Sequence, residues 1–458
     1  MSKSAEKQSP LRAVMDVHRG ELPLALLMFS YFFLAITTFW ILKPIKKSLF
    51  IEHYDAHGID LVGWHLSAAQ GELIAKVLNM VVAGCAMVAF TWLSRRLVRE
   101  KLSYAFSAFF AVGFVVYAAL LGSPTDTTVW TFYLYGDLYS TVMVATFFAF
   151  LNDSVTPSAA RRLYGLIVLG GVAGGVFGTS VVATWIEKLT PRLAMFISLG
   201  ITAVIVVIAS AAGRYARRGA SEAVRGSGEE SADDSPPSGR SSSSVALEGA
   251  RLVLRSRYLL AIATILAVYE IVSTMLDFQF TSTVAHYLNG PAIGKQFSTV
   301  YTITNATSLV VQLFATAFVM SRFRLTVALL VTPLAILGAS GAFVALPLLW
   351  PGSMLNTVDN ALNYSINQSA KEALYTPATR DEKYKAKAFI DMFVQRSAKA
   401  VAVGVSLAIT LVFTSFSSVR WLSLIVVALV VVWAFAARYA GRRFHELTEG
   451  VPRSRPRR

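Results

Sequence analysis

The sequence predicts an all-α polytopic membrane protein, with about twelve transmembrane helices in two six-helix halves. Three observations predict it. The chain of 458 residues is 55% hydrophobic and only 15% charged, with mean hydropathy +0.55, whereas a soluble domain carries more charge. Apolar runs of about 20 residues recur along it, long enough to cross a bilayer; an outer-membrane barrel would show short alternating segments instead. One polar stretch after the sixth run divides the chain in two.

The runs come in order as Leu22–Leu42, Leu73–Leu93, Leu102–Leu121, Val129–Leu151, Leu163–Trp185 and Leu193–Ala212, so residues 1–212 make the first half. Residues 213–257 are a cytoplasmic linker. Its first part, rich in Gly, Ser, Arg, Glu and Asp with Pro236-Pro237, cannot bury a core and reads as disordered. Its last part, Val245–Arg257, sets Leu247, Ala250 and Leu254 apart from Arg251 and Arg255, the pattern of an amphipathic helix at an interface. The second half, 258–440, carries runs at Tyr258–Leu276 (or on to Leu288), Phe297–Met320, Leu325–Trp350, Ser353–Ala370, Ala388–Phe413 and Trp421–Ala440; a basic cytoplasmic tail, 441–458, follows. Phe90–Arg96 after the second run echoes Phe318–Arg324 after the eighth, which points to internal duplication. Two six-helix halves joined by a long connector are the plan of the major facilitator superfamily, whose members hold substrate near the bilayer midplane.

Charge gives orientation. Loops 94–101, 152–162 and 321–324 hold Arg95, Arg96, Arg99, Lys101, Arg161, Arg162, Arg322 and Arg324, while loop 122–128 has no Lys or Arg and loop 289–296 only Lys295. The positive-inside rule therefore puts both termini in the cytoplasm of a multi-pass protein of the inner cell membrane. The formal net charge of +15 is assigned to those loops and not to nucleic-acid binding. No signal-peptide pattern precedes the first run, so the first helix is expected to insert directly. Lys43-Pro44-Ile45-Lys46-Lys47 breaks the rule, at the far end of the first helix, which marks it as functional or as a fault in the topology.

Charges inside apolar runs are costly and mark ion or substrate paths. Asp391, Gln395 and Lys399 recur every fourth residue and share a helix face, with Arg396 beside it. Lys399 falls roughly 16 Å into its helix, about half of a ~30 Å hydrocarbon core, where a basic face suits an anion. Asp137 lies in the fourth run among tyrosines, either as a functional carboxylate or as one wetted near the headgroups. Glu270 and Asp277 are seven residues apart on one face, either binding a proton or lysine partners, or setting helix orientation alone. Lys371, near the cytoplasmic end of the tenth run, is by itself the weakest signal, since a lysine near a helix end can snorkel. Asn356, Asn360, Asn363 and Asn367, with Asp359, form a stripe that lines an aqueous path or bonds neighbouring helices. Gly170, Gly174 and Gly178, with Gly171 and Gly175, permit close helix approach; a phosphate loop would need a preceding strand and a following Lys-Ser/Thr. His53, His57 and His65 read as solvated loop histidines. The lone Cys85 allows no intrachain disulfide, and neither metal nor cofactor is indicated. No nucleophile–base pair suggests an enzyme.

Several of these stretches resemble one family, the ATP/ADP translocases of plastids and obligate intracellular bacteria, which are nucleotide transporters of the major-facilitator type. Ile41–Lys47 resembles that family's Leu-Arg-Asp-x-Lys-Asp, Gly136-Asp137-Leu138-Tyr139 its Glu-Leu-Trp, and Met275-Leu276-Asp277-Phe278 its Leu-x-Glu. Lys371-Glu372-Ala373-Leu374-Tyr375-Thr376-Pro377 resembles Lys-Glu-Met-Ala-Tyr-x-Pro, the most specific match, and Lys387–Asp391 with Arg396 and Lys399 resembles Lys-Ala-x-Ile-Asp…Arg-x-Gly-Lys. The chain departs from the pattern at Pro44 and Lys47, where the family has acids, and at Ala400 and Val401, where it has glycines; Asp stands for Glu at 137 and 277. It resembles a divergent bacterial branch. The resemblance implies Lys46, Asp137, Asp277 and Lys371 as the key charged positions, with Arg396 and Lys399 as added basic groups; Lys43, Glu270, Asp391 and Asn367 are further candidates. It implies alternating-access transport of a nucleotide or related phosphorylated anion, with ATP/ADP exchange as one form; two complete halves make a monomer sufficient. Proton-coupled transport of another small solute is the alternative, and a non-transporting membrane adaptor or sensor is a third reading.

Overall fold

A computed structural model describes residues 21–61, 63–155, 157–186, 188–226, 242–377 and 385–449. The polar N-terminal stretch, the middle of the linker and the last residues of the basic tail lie outside them. The first half holds α1 (Leu22–Tyr54), α2 (Ala68–Ser94), α3 (Arg99–Leu120), α4 (Asp126–Ser154), α5 (Pro157–Trp185) and α6 (Pro191–Gly226). The short α7 (Ser242–Arg255) leads to α8 (Arg257–Tyr287), α9 (Pro291–Arg322) and α10 (Leu325–Ala345). Next, α11 joins Leu349–Leu362 to Gln368–Leu374 through a π-helical turn at Asn363–Asn367, and α12 joins Lys387–Phe389 to Gln395–Val412 through another at Ile390–Val394. The last helix, α13, is Val419–Glu449. The expected all-α polytopic fold is thus found. Among the described residues ten helices are long and apolar enough to cross a membrane, α9 among them with a π turn at Val311–Thr316; α11 and α12, with their π turns and polar faces, stand where the other two of the expected twelve fall.

Local chemistry sets the helix starts. Thr125 accepts the Thr128 amide at 3.3 Å to cap α4, and Ser256 accepts that of Leu259 at 3.3 Å to cap α8. α5, α6 and α9 open on Pro157, Pro191 and Pro291, where a missing N–H costs nothing.

Three expectations need correction. The first helix does not end at Leu42: it runs on through Pro44 to Tyr54, with Ile41, Leu42, Ile45 and Lys46 around the proline all buried, a setting in which a membrane helix tolerates proline. The lysine cluster therefore lies inside α1, and His53 is in its last turn, not in a loop. The chain after α1 forms a small hairpin, Ile59–Leu61 paired antiparallel with Trp64–Leu66, turned at Gly63 with φ +82°. The sixth helix continues to Gly226, since Ala, Arg and Glu past residue 212 favour helix and Arg217 reaches back to Glu100. In α7 Val253 is buried, while Leu254 is exposed.

Two compact units divide the chain. One gathers residues 1–57, 78–234 and 289–305; the other gathers 58–77, 235–288 and 306–458. In the first, α1 packs against α4, α5 and α6, and α3 packs against α4 and α6. In the second, α8 packs against α11, α12 and α13, and α10 packs against α11 and α13. For these helices the two patterns correspond, as duplication predicts, and the second unit adds a contact between the π turn Val311–Thr316 of α9 and that of α11. Each unit also takes the opening segment of the other half's second helix: α2 enters from the second unit, α9 from the first.

Candidate functional site

In the first unit the site grows from α1. Lys46 is 4% exposed and its ammonium forms an ion pair with Asp137 of α4. The same ammonium lies 4.2 Å from the Tyr133 ring centroid and donates to the Tyr133 carbonyl at 3.5 Å. α4 makes room for it with Gly136: a Cβ there would stand 2.8 Å from Lys46 Cδ. Lys43 and Lys47, one turn apart, face the start of α9. The Lys43 ammonium lies 4.4 Å from the Trp40 ring, 4.8 Å from Tyr301 and 5.7 Å from Phe39; that of Lys47 lies 5.2 Å from Phe297. Aromatic faces stabilise these cations where water is scarce.

The second unit holds a larger network on α8 and α11. Asp277 pairs with Lys76 of α2 and accepts Asn356 Nδ2 at 3.1 Å. Lys76 also contacts Glu72, one turn earlier, at 2.9 Å. Glu270 pairs with Lys399 of α12 at 3.3 Å. Lys371, 7% exposed, leans toward its helix N-terminus and donates to Asn363 Oδ1 at 3.2 Å, with its ammonium 4.1 Å from the Tyr269 ring. Asn367 donates to the same Asn363 oxygen at 3.1 Å. The stripe of amides thus binds within and between helices, and the π turn sits where Asn363 and Asn367 turn inward; such turns recur at functional sites.

The structure brings together Lys46 with Asp137, Asp277 with Lys76, and Glu270 with Lys399. It does not keep the basic face of α12 whole. Asp391 is exposed, with a 3.5 Å contact to Gln395, and Arg396 makes no ion pair among the described residues. Lys76 and Glu72 enter the site from outside the sequence motifs, and Asp359 gains a weight there that its sequence position does not give it. Lys76 is a charge within the second apolar run and was legible by that rule; Asp359 was visible only as a member of the asparagine stripe.

Away from these networks, His53, His57 and Asp126 bring one ligand atom each within 4.8 Å of one another, a set able to take a divalent metal; the 2.8 Å contact between His53 and Asp126 already accounts for two of them. A cleft of about 840 Å³ in the second unit, lined by Arg255, Arg257, Arg442 and Arg443, contains none of the buried lysines.

A family model described as TLC ATP/ADP transporter matches residues 1–128, 122–350 and 346–444. The ADP,ATP carrier protein 1 of Chlamydia muridarum (strain MoPn / Nigg) is 24% identical over 512 residues, covering 97% of this chain and 93% of the relative. The ADP,ATP carrier protein 2 of Chlamydia trachomatis serovar D is 27% identical over 223 residues, a match that takes in 44% of this chain and 41% of that relative. Among solved structures, a mutant form of the nucleoside transporter NupG superposes with TM-score 0.58 at 14% identity, over 92% of this chain and 100% of that one. The last likeness is one of fold.

Proposed function

The chain belongs to the family of TLC ATP/ADP transporters, and from that premise we propose that it exchanges nucleotides across the inner cell membrane, with Lys46 and Lys371 as the phosphate-binding cations. It is a membrane transporter of nucleotide or related organic phosphate, working by alternating access on a major-facilitator-like fold. ATP and ADP as its particular substrates, both termini in the cytoplasm and a monomeric carrier complete the proposal.

The observation that carries it is the burial of two lysines whose present partners a phosphate can replace. Lys46 and Lys371 are 4% and 7% exposed. A buried charge needs a partner, and each has one that is not covalent or metallic: a carboxylate for Lys46, an amide oxygen and an aromatic face for Lys371. Lysine binds phosphate as a point charge, so an arriving polyanion competes for both. Asp137 holds Lys46 while the site is empty and is released on loading. That exchange of partners links reorientation to occupancy: the empty carrier keeps its internal pair, and the loaded one trades it for the ligand.

A thermal-shift screen of the purified protein tests the ligand class. ATP and ADP are expected to raise the unfolding midpoint while adenosine does not; a ligand at 100 times its Kd adds about 2.7 kcal/mol to the folded state. A shift by unphosphorylated solutes, with none from any phosphate ester, overturns the proposal.

A further inference from the structure

We propose that Asp359 is a proton-binding site, tied to the anion site through Lys371. The site rests on geometry alone; only its coupling to anion rests on the transport reading above.

Asp359 lies in the middle of α11, 1% exposed. Its Oδ2 accepts the hydroxyl of Ser273 at 2.6 Å. Its Oδ1 is buried and has no hydrogen-bond partner among the described residues. The groups that face it are Glu270 and Asp277 from α8, with the Tyr269 hydroxyl, and Tyr364 and Lys371 from its own helix. Of the other elements packed on α11, α10 and the π turn Val311–Thr316 of α9 supply no titratable side chain, and α13 meets only Gln368–Leu374 at its end. The neighbouring acids already hold cations: Lys399 stands on Glu270 and Lys76 on Asp277. Lys371 donates to Asn363 and rests its charge on the Tyr269 ring. No ion pair reaches Asp359 among the described residues.

An ionised carboxylate is acceptor-only and has room for about four hydrogen bonds. Here it would have one, from a neutral hydroxyl, beside two other acids. Burying a charge with so little compensation costs far more than burying the neutral acid, so the site takes a proton from solution: carboxylate and proton become carboxylic acid, with nothing else exchanged.

A connected chain joins this site to the cation. The Lys371 ammonium lies on the Tyr269 face, the Tyr269 hydroxyl contacts Ser273 Oγ at 3.5 Å, and Ser273 donates to Asp359. An anion drawn to Lys371 adds negative charge near Asp359 and strengthens its hold on the proton. Binding linkage is reciprocal, so a proton on Asp359 strengthens anion binding by the same factor. The carrier would load proton and anion together.

Infrared difference spectroscopy of the full chain in lipid nanodiscs, titrated with pH, tests this. The wild type is expected to show the carbonyl stretch of a protonated carboxylic acid that Asp359→Asn lacks. Ser273→Ala, which removes the hydroxyl on Oδ2 and leaves Asp359 in place, is expected to shift that band in frequency. At the pH where the band of the empty carrier is half its full height, added ATP is expected to increase it. A titration identical in wild type and Asp359→Asn overturns the proton site, and a band unmoved by bound ATP overturns the coupling. The titration needs no nucleotide, so its failure and that of the nucleotide reading are separate results.

Discussion

Lys46 concentrates the physics of the first unit in one side chain. Its stem runs past Gly136, its ammonium meets Asp137, and the Tyr133 ring shields it. Removing it by Lys46→Ala strands the carboxylate, which is 22% exposed. The expected loss is about 3 kcal/mol, the low end for breaking a buried pair, read as a lower thermal midpoint. The double change Lys46→Ala, Asp137→Ala should recover most of that stability and none of the transport. A single variant as stable as wild type would mean the pair does not hold the empty state. The same residue shows what the sequence could and could not tell. Lys46 and Asp137 were each legible as intramembrane charges at positions that resemble a family pattern. Their contact depends on α1 continuing through Pro44, and a proline inside an apolar run reads locally as a helix end. Asp277 was legible too, but its partner Lys76 comes from a helix far away in sequence, which no local spacing reveals.

Among the helices, the glycines of α5 set how close it comes to α1. A Cβ at Gly170 would stand 2.6 Å from the Phe29 carbonyl oxygen, and one at Gly178 would stand 2.7 Å from that of Thr37. Gly174 meets the backbone of Phe33, and Thr37 donates to the Gly174 carbonyl at 3.3 Å. Backbone cannot move aside as a side-chain tip can, so Gly174→Val should force α5 off α1 and cost about 1–3 kcal/mol. Gly338 in α10 faces open space, with no atom within 4 Å of where a Cβ would stand, so Gly338→Ala should be neutral or stabilise by up to about 1 kcal/mol. Thermal unfolding of the two variants separates them; equal behaviour would remove the packing role. The i, i+4 glycine spacing made this interface legible, since small residues at one face have few other uses in a helix. The π turns of α11 and α12 were not legible: they shift register by one residue, and nothing in residue type alone announces that.

Across the whole molecule, the correspondence of the two units is the deepest regularity. α1 and α8 occupy the same place in their units, and each carries or faces the charged residues of its own site: Lys46 on α1 toward Asp137, Glu270 and Asp277 on α8 toward Lys399 and Lys76. The twofold plan was legible from the polar break and from the echo of Phe90–Arg96 in Phe318–Arg324. The reciprocal membership of α2 and α9 was not, because packing partners are chosen by shape across long stretches of chain. If the buried lysines of this scaffold bind the phosphates of a transported nucleotide, their removal must slow exchange at least tenfold in protein that still folds. Uptake of labelled ATP into proteoliposomes preloaded with ADP measures this. Wild type should exchange rapidly, while Lys46→Ala and Lys371→Ala should each lose at least tenfold, about 1.4 kcal/mol of binding or transition-state energy, with the protein still folded by circular dichroism. Undiminished ATP exchange by Lys371→Ala would contradict it.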